Sequence, residues 1–361
     1  MDPTATPALV IDAKTVFRNV ERLAAYAEEH DLDVRPHTKT HKSRQLGALQ
    51  MSAGAVGLTV AKVGEAEVMA EVANDILLAY PAIDPARTVR LTRLAKHATI
   101  RVAIDSLAGA KLLGEAANRA KATLGILVDL DVGMGRTGVQ TASEALKVAQ
   151  YVDATAGLRL DGLFCYPGHI GGPPDEQADA LAAVSDKLDE TLLLWDKHGL
   201  QARTVSGGSS PTLFQSHLVP ECTEIRPGTY LYNDLNMVRG GYCTLDDCAA
   251  RFTCTVVSTA VPDKVVLDAG TKTLTSDRCG PAPESGHGFI LEYPDAVIAR
   301  LTEEHGEVDV RKCGTRPKLG ERVTVIPNHI CPCVNLQDAV WWRDEEGQLV
   351  ELAVDARGRL V

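Results

Sequence analysis

The sequence predicts an α/β protein made of a (β/α)8 TIM-like barrel and a mostly antiparallel β second domain. Two features carry this prediction. Eight short apolar or β-branched runs alternate with alanine-rich helical stretches, which is the pattern that such a barrel requires. From about residue 240 helical spacing becomes scarce, and shorter segments with strand propensity replace it. A doubly wound sheet is the main competing architecture.

The barrel elements follow in order along the chain. Strands are expected at residues 32–39, 57–60, 76–79, 100–104, 124–130, 160–165, 203–205 and 224–226. Helical spacing of apolar residues occurs at 13–30, 63–73, 107–122, 142–152 and 176–198. We prefer the barrel to the doubly wound sheet because the strand count closes at eight. Polar or glycine-rich segments also follow nearly all the strands, at the end where barrels carry their sites.

The second domain is expected to consist mainly of strands. Segments with strand propensity lie at 251–260, 264–267, 322–326, 339–343 and 349–354, and the apolar run at 7–12 is a candidate to join them. We therefore expect a barrel over residues 13–238 and a β domain built from residues 1–12 and 239–361.

Composition excludes several classes of protein. The 361 residues are 45% hydrophobic and 24% charged, as in ordinary globular domains, and the net charge of −11 argues against a nucleic-acid-binding surface. No signal peptide or membrane-spanning apolar run is visible, so we expect a cytoplasmic protein without a membrane partner. The nine cysteines fit free thiols and a metal site better than a disulfide framework.

Residues 35–42 form a basic cluster at the end of the first expected strand. In an extended chain, alternation would place Arg35, His37, Lys39 and His41 on one side. Crowding of like charges lowers the pKa of a lysine, and such a lysine is a nucleophile suited to a Schiff base with an aldehyde cofactor. The alternative is a solvated basic turn.

Residues 131–138 contain a G-x-G-x-x-G string between a strand and a helix, formally the dinucleotide fingerprint. The match is weak because the string follows the fifth strand rather than the first. The acidic residue expected after the next strand is also replaced by Cys165 and Tyr166. We interpret Arg136, at a strand end among glycines, as a ligand for an anion or a phenolate. The alternative is a surface arginine at a helix start.

The segments at 206–212 and 226–230 follow the seventh and eighth strands and contain glycines and hydroxyl residues. Such loops expose backbone N–H groups and form the usual phosphate site of these barrels, so the two support one another. Either alone would be an ordinary glycine-rich turn. Tyr166 and His169, after the sixth strand, are further site candidates, with barrel-mouth packing as the alternative.

His329 and Cys331 follow a strand of the second domain. In an extended conformation they face the same way, a spacing suited to two ligands on one metal, and Cys333 would be a third if the extension continued. A closed structural zinc site needs four ligands, so we expect an open site that holds water or substrate. The alternative is buried thiols beside an unrelated histidine.

Six motifs in this order carry a family resemblance: R-P-H-T-K-T-H-K, D-V-G-M-G-R-T-G, C-Y-P-G-H, G-G-S-S-P-T, R-P-G-T-Y and P-N-H-I-C-P. Together they resemble the D-serine dehydratase / D-threonine aldolase family of pyridoxal-phosphate (PLP) enzymes, which are fold-type III relatives of alanine racemase. The resemblance extends from about residue 5 to the C-terminus. It implies an alanine-racemase-like fold and a homodimer.

The resemblance also implies roles for individual residues. Lys39 would be the Schiff-base lysine, and His329 and Cys331 would bind a divalent metal next to the substrate. The remaining cofactor contacts would come from Arg136 at the phenolic oxygen, Tyr166 beside the ring, Gly208, Ser209, Gly228 and Thr229 at the phosphate, and Tyr230. His169 would be a catalytic base.

Two reactions of D-β-hydroxy-α-amino acids fit these parts. Lys39 would remove the α-proton while the metal assists loss of hydroxide, which gives an oxo acid and ammonia. Alternatively, His169 would take the hydroxyl proton and the Cα–Cβ bond would break, which gives glycine and an aldehyde. Family aldolases tend to carry aspartate where Cys331 stands, and a thiolate favours zinc over manganese or magnesium. We therefore expect a zinc-dependent dehydratase, acting on D-serine or D-threo-3-hydroxyaspartate. A PLP-dependent racemase and a non-catalytic PLP carrier are the alternatives of another class.

Overall fold

The computed structural model describes residues 5–361, which divide into two compact units. One unit comprises Glu21–Gly228 and Gly358–Val361, and the other comprises the N-terminal segment through Val20 and Thr229–Arg357. No helix within the described part of the chain is long and apolar enough to cross a membrane.

Between residues 5 and 361 the chain forms seventeen strands and ten α-helices. The strands are β1 (Ala8–Asp12), β2 (Asp33–Val34), β3 (Leu58–Val60), β4 (Asp75–Leu78), β5 (Thr99–Ile104), β6 (Leu124–Asp129), β7 (Leu158–Phe164), β8 (Thr204–Gly207), β9 (Glu224–Ile225), β10 (Ala250–Ser258), β11 (Lys264–Leu267), β12 (Phe289–Ile290), β13 (Val297–Leu301), β14 (Gly306–Asp309), β15 (Arg322–Ile326), β16 (Ala339–Arg343) and β17 (Leu349–Ala353). The helices are α1 (Ala13–Glu29), α2 (Arg44–Ser52), α3 (Val63–Met69), α4 (Pro85–Leu94), α5 (Leu107–Ala120), α6 (Ala142–Asp153), α7 (Ala178–Lys197), α8 (Leu235–Arg239), α9 (Thr271–Leu274) and α10 (Ile330–Asn335).

The first of the two sheets is the predicted eight-stranded parallel barrel. Its strands lie in the order β2-β9-β8-β7-β6-β5-β4-β3. The two ends of this order meet through a parallel bridge between His37 and Thr59, next to a hydrogen bond from Thr59 N to Pro36 O of 2.9 Å. All six residues of β6 are buried, as expected for a strand covered on both faces. The predicted fold is therefore confirmed for this part of the chain.

Side-chain caps mark the start of α5 and α6, directly after the loops that follow β5 and β6. The hydroxyl of Ser106 accepts the Gly109 N–H at 3.2 Å at the start of α5. At the start of α6, Thr141 and Glu144 form a capping box with bonds of 3.2 and 3.1 Å. These bonds satisfy N–H groups that would otherwise lack partners, so the loops after β5 and β6 end at defined points.

The second sheet has the order β13-β14-β11-β10-β1-β16-β17, with β15 paired to β10 and β12. Nearly all of its pairs are antiparallel, and β1 is parallel to β16. The predicted β architecture of the second domain is confirmed. Strand β12 was not predicted because it has only two residues. Strands β13 and β14 were not predicted because they are short and charged residues at their exposed or half-buried positions weaken the apolar signal.

The extended conformation expected for residues 35–41 is wrong. Strand β2 ends at Val34, the chain then forms a 3-10 helix at Thr38–Thr40, and Lys42 has a left-handed φ of 54°. Alternation of side chains therefore does not hold through this segment. Lys42 is buried and pairs with Glu65 at 2.5 Å.

Arg35 instead belongs to a buried ion cluster that connects five barrel strands or strand ends. Arg35 contacts Glu224 at 2.9 Å and Asp75 at 2.7 Å, while Arg101 contacts Asp75 at 2.8 Å and Asp161 at 2.7 Å. The side chains of Arg35 and Glu224 are each only 3% exposed. Two acidic partners neutralise Arg35, so it does not add an uncompensated positive charge to the Lys39 segment.

Replacing Arg35 by methionine should destabilise the protein strongly. The change leaves the buried carboxylate of Glu224 without its cation, which costs about 3–5 kcal/mol in the free energy of unfolding. Arg44→Met is the matched control, because Arg44 pairs with Glu71 at the surface and exposed pairs contribute about 1 kcal/mol or less. Urea unfolding of the three proteins measures both effects. Equal losses for the two variants would contradict the prediction.

Candidate active site

Lys39 lies in the middle of the short 3-10 helix that follows β2, and its side chain is partly buried. Its backbone N–H donates to Nδ1 of His37 at 3.4 Å. Within residues 5–361 the Lys39 ammonium has no hydrogen bond or ion pair with another side chain. Burial, with the positive charges of Lys39 and Arg226, lowers the pKa of His37 well below its usual value. His37 is therefore a neutral imidazole beside a free lysine.

The loop at Gly228 touches the Lys39 segment. A Cβ added to Gly228 would lie 3.0 Å from His37 O and 3.1 Å from the Thr40 hydroxyl, so a larger residue would push the two segments apart. Pro227 O accepts the His37 N–H at 2.9 Å. The backbone thus brings the predicted lysine and the predicted phosphate loop together.

The two predicted phosphate loops are also in contact. The N–H of Gly228 donates to the Ser210 hydroxyl at 3.3 Å, and the Ser209 N–H donates to the Thr212 hydroxyl at 3.3 Å. Gly208 has a left-handed φ of 79°, which favours glycine at this turn. Backbone N–H groups and hydroxyls collected in this way match the donors that a phosphate group requires.

The loop that carries Arg136 is held from inside by Asp131. One carboxylate oxygen accepts the N–H groups of Gly133 at 3.1 Å and Gly135 at 3.0 Å, and these bonds also keep the pKa of Asp131 below its usual value in spite of burial. The exposed guanidinium of Arg136 lies 4.8 Å from the centre of the Tyr166 ring. Arg136 and Tyr166 are thus brought together, and the guanidinium keeps donors for a phenolate.

The ring of Tyr166 packs against an apolar cluster made of Leu77, Ala103, Leu127 and Phe164. The guanidinium of the buried Arg226 lies 3.8 Å from the Phe164 ring centre and donates to Ser206 Oγ and to Cys165 O, each at 2.6 Å. Nothing in the sequence indicated a role for Arg226. An arginine that precedes a proline carries no signal that its side chain is buried inside a barrel.

His169 lies against the Arg136 loop. A Cβ added to Gly133 would be 2.7 Å from His169 Nε2, and Gly133 has a left-handed φ of 123°. The imidazole therefore needs a glycine at that position. His169 is exposed, so it is accessible to a proton donor or acceptor.

His329 and Cys331 are brought together in the second unit. His329 caps α10, and its imidazole is hydrogen-bonded to the Cys331 side chain. Nδ1 of His329 lies 3.0 Å from Oδ2 of Asp277. Burial disfavours the imidazolium, but these bonds and the nearby acidic groups outweigh it and raise the pKa of His329 to about 9. An imidazole and a thiol in contact are suitable donors for a divalent metal.

The extended geometry expected for residues 329–333 is wrong, because α10 begins at Ile330. Cys333 is buried and donates to Leu274 O at 3.4 Å and to His329 O at 3.2 Å. The Cys333 thiol is therefore directed at two backbone carbonyls and is not placed as a third ligand. Among residues 5–361, no group of three or more histidine, cysteine or acidic side chains is placed so that it could hold a metal ion.

Thr229 and Tyr230 belong to the second unit. Thr229 begins a 3-10 helix, and its hydroxyl lies 3.9 Å from Cys331 Sγ. Tyr230 is buried in the same helix. Within the second unit, Thr229, a predicted phosphate residue, is therefore in contact with the predicted metal ligand Cys331.

Sequence reasoning missed Asp277, the partner of His329. It lies 52 residues earlier in the chain, in a segment without regular structure. No spacing rule connects two such positions. A lone aspartate between Ser276 and Arg278 gave no signal of a site.

Known protein families match both parts of the chain. A model of the alanine racemase N-terminal domain matches residues 11–236, and a model of a putative serine dehydratase domain matches residues 249–342. A D-threonine aldolase from Arthrobacter sp is 30% identical over 352 residues, covering 94% of this chain and 90% of the aldolase. The chain belongs to the D-serine dehydratase / D-threonine aldolase family. The resemblance inferred from the six motifs, and the expected enzyme class of PLP-dependent lyase, are confirmed.

Solved structures of this family have the same fold. D-threonine aldolase from Filomicrobium marinum has a TM-score of 0.91 at 29% identity and covers 99% of this chain and 97% of its own. D-threo-3-hydroxyaspartate dehydratase from Delftia sp. HT23 has a TM-score of 0.90 at 25% identity, with 97% of both chains covered. A cysteine-to-alanine mutant of that dehydratase, with a TM-score of 0.89 at 25% identity and 97% of both chains covered, is in the metal-free form.

Asp129, the last residue of β6, should make stability depend on pH. Burial raises the pKa of its carboxyl to about 6, although the Thr137 hydroxyl bonds to it. The proton is bound more tightly by the folded protein than by the unfolded chain. The stabilisation that comes from this protonation is therefore complete below about pH 4 and is lost as the pH rises past 6.

Asp129→Asn mimics the protonated form and should not show this loss. Its free energy of unfolding should exceed that of the wild type by up to about 3 kcal/mol at pH 8, with little difference near pH 4. Asp153→Asn, at the exposed end of α6, should stay within about 0.5 kcal/mol throughout. Urea unfolding at several pH values measures the difference. A gain that does not change with pH would refute the assignment.

Proposed function

We propose that the protein is a PLP- and divalent-metal-dependent lyase that acts on D-β-hydroxy-α-amino acids, with dehydration and deamination as the reaction and zinc as the metal. One observation carries the proposal. The hydroxyl of Thr229, a predicted phosphate residue, lies 3.9 Å from Cys331 Sγ, and Cys331 is hydrogen-bonded to His329. Within the second unit, a predicted phosphate residue and a pair of metal donors therefore lie together.

The residues of the barrel unit fit PLP. Gly208, Ser209 and Gly228 would hold the phosphate, since their loops join through the Ser210 hydroxyl. When bound, PLP stores the electron pair released as a bond to the substrate Cα breaks. Lys39 would carry the cofactor and, as a neutral amine, accept the α-proton at Nζ; its side-chain nitrogen has no hydrogen-bond or ion-pair partner among residues 5–361, which supports this role.

Two further residues would fix the cofactor ring. Tyr166 would lie beside the cofactor ring, and the apolar cluster against which Tyr166 packs would support it there. Arg136 would donate to the phenolic oxygen from its position over Tyr166. Tyr230, buried after Thr229, would complete the contacts.

The second unit supplies the metal ligands, His329 and Cys331. A bound divalent ion would act as a Lewis acid on the β-hydroxyl of the substrate. Zinc is favoured because thiolate and imidazole are ligands that it prefers, whereas manganese and magnesium prefer oxygen. A metal-free form has been solved for a cysteine-to-alanine mutant of the Delftia dehydratase, which supports metal binding by that relative.

Aldol cleavage to glycine and an aldehyde is the second candidate. It is favoured by the relatives at 30% identity, which are a D-threonine aldolase and a 3-hydroxy-D-aspartate aldolase. His169, exposed beside Gly133, would take the hydroxyl proton in that reaction. A racemase or a PLP carrier has no use for the His329–Cys331 pair, so these two classes are disfavoured.

Lys39→Ala should abolish turnover and covalent attachment of the cofactor. Borohydride reduction of the wild-type holoenzyme should leave a PLP-derived mass on the peptide that contains Lys39. Turnover of the variant should fall by more than about 1,000-fold, since the base and the attachment point are both lost. Lys197→Ala, at the exposed end of α7, is the matched control and should keep both properties. A variant that turns over normally would refute the role of Lys39.

Identification of products tests the reaction. The holoenzyme is incubated with D-serine, D-threonine and D-threo-3-hydroxyaspartate, and oxo acid, ammonia, glycine and aldehyde are measured. Dehydration predicts oxo acid and ammonia, which should disappear after chelation and return with zinc. Glycine and acetaldehyde as the main products from D-threonine would establish the aldolase alternative. Activity unchanged by chelation, with inversion of an amino acid, would indicate a racemase.

A further inference from the structure

The side chain of His329 is oriented by a carboxylate. Oδ2 of Asp277 lies 3.0 Å from Nδ1 of His329, and the two side chains are 45% and 41% exposed. The contact with the Cys331 side chain, and any bond to a metal, is thereby left to the other ring nitrogen, Nε2. An imidazole whose Nδ1–H donates to a carboxylate has a fixed tautomer, a fixed ring orientation and a more basic Nε2.

The position of Asp277 is fixed in turn by Asn328, the residue before His329. The side-chain amide of Asn328 donates to Asp277 O at 2.9 Å and to Gly286 O at 2.9 Å. Asn328 is 1% exposed. Because both partners are carbonyl oxygens, the donating atom must be the amide nitrogen, which settles the orientation of the group.

The contacts form a closed ring. Asn328 holds the backbone of Asp277, the Asp277 carboxylate holds the imidazole of His329, and His329 follows Asn328 in the chain. The backbone N–H of Ile330 donates to the buried carboxylate of Asp234 at 3.0 Å, so the other side of His329 is also fixed.

The Asn328 amide is only partly hydrogen-bonded. Its Oδ1 is buried and has no hydrogen-bond partner among residues 5–361, and such an unsatisfied acceptor costs about 1–3 kcal/mol. Both N–H groups of the amide are used, and one of them places Asp277.

We propose that Asp277, held by Asn328, is the positioning residue of His329 and sets the affinity of the His329–Cys331 pair for a divalent metal. This inference rests on the metal site of the proposed function. Asp277 is not itself a metal ligand in this arrangement, because its oxygen is directed at Nδ1 rather than at a site shared with Nε2. Its effect on the reaction passes through the imidazole.

Zinc affinity tests the proposal directly. PLP-loaded protein is stripped of metal and titrated with zinc against a chromogenic chelator. Asp277→Ala should weaken zinc binding by about 10- to 100-fold, the usual effect of removing such a partner. Asp277→Asn keeps an oxygen acceptor for Nδ1–H, so it should lose less. Asn328→Asp removes the amide donors and should weaken binding in the same direction as Asp277→Ala.

The control is Asp338→Ala, which removes an exposed carboxylate paired with Arg357 in the same unit and should leave zinc affinity unchanged. Cobalt provides a second measurement. The thiolate-to-cobalt absorption of Asp277→Ala should match that of the wild type, since the ligands are unchanged.

The outcomes separate the two proposals. Zinc binding by Asp277→Ala within twofold of the wild type, or an altered cobalt spectrum that makes Asp277 a direct ligand, would overturn the positioning role alone. A wild-type protein that binds no zinc, or His329→Ala that binds it normally, would overturn the metal site and this inference with it.

Discussion

The buried carboxylate of Glu224 is the constraint on which the barrel mouth depends. It accepts the Nε–H of Arg35 at 2.9 Å and the hydroxyl of Ser206, whose oxygen accepts from Arg226 at 2.6 Å. A buried carboxylate is tolerated only when its charge and lone pairs are satisfied in this way. The partners lie after β2, in β8 and after β9. Satisfying Glu224 therefore fixes three strand ends relative to one another.

Arg35 and Ser206, which bond to Glu224, and Arg226, which bonds to Ser206, each precede a segment of the candidate site. Arg35 stands four residues before Lys39, Ser206 stands two before Gly208, and Arg226 stands two before Gly228. Charges below the mouth set the spacing of the strand ends. The glycines and hydroxyl residues above them can then be small, because they do not have to hold the barrel together.

The sequence predicted the elements well and the local geometry of the site less well. The barrel strands were predictable because alternation of strand and helix is a periodic signal, and the six motifs identified the segments that approach each other. Alternation failed where the chain stops being extended, at Arg35 with its acidic partners and at His329 before α10. Asp277 was not predictable, because its contact with His329 joins an irregular segment to a helix cap across 52 residues.

The choice between loss of hydroxide and cleavage of the carbon–carbon bond depends on which proton the chain moves. In the proposed loss of hydroxide, Lys39 would be the base at the α-proton, and its side-chain nitrogen has no partner among residues 5–361. In the proposed cleavage, His169 would be the base at the hydroxyl, and its imidazole lies against Gly133. Gly133 is fixed by Asp131 in the loop that presents Arg136. A change in this one loop would therefore be expected to alter the balance of the two proposed reactions without altering His329 and Cys331.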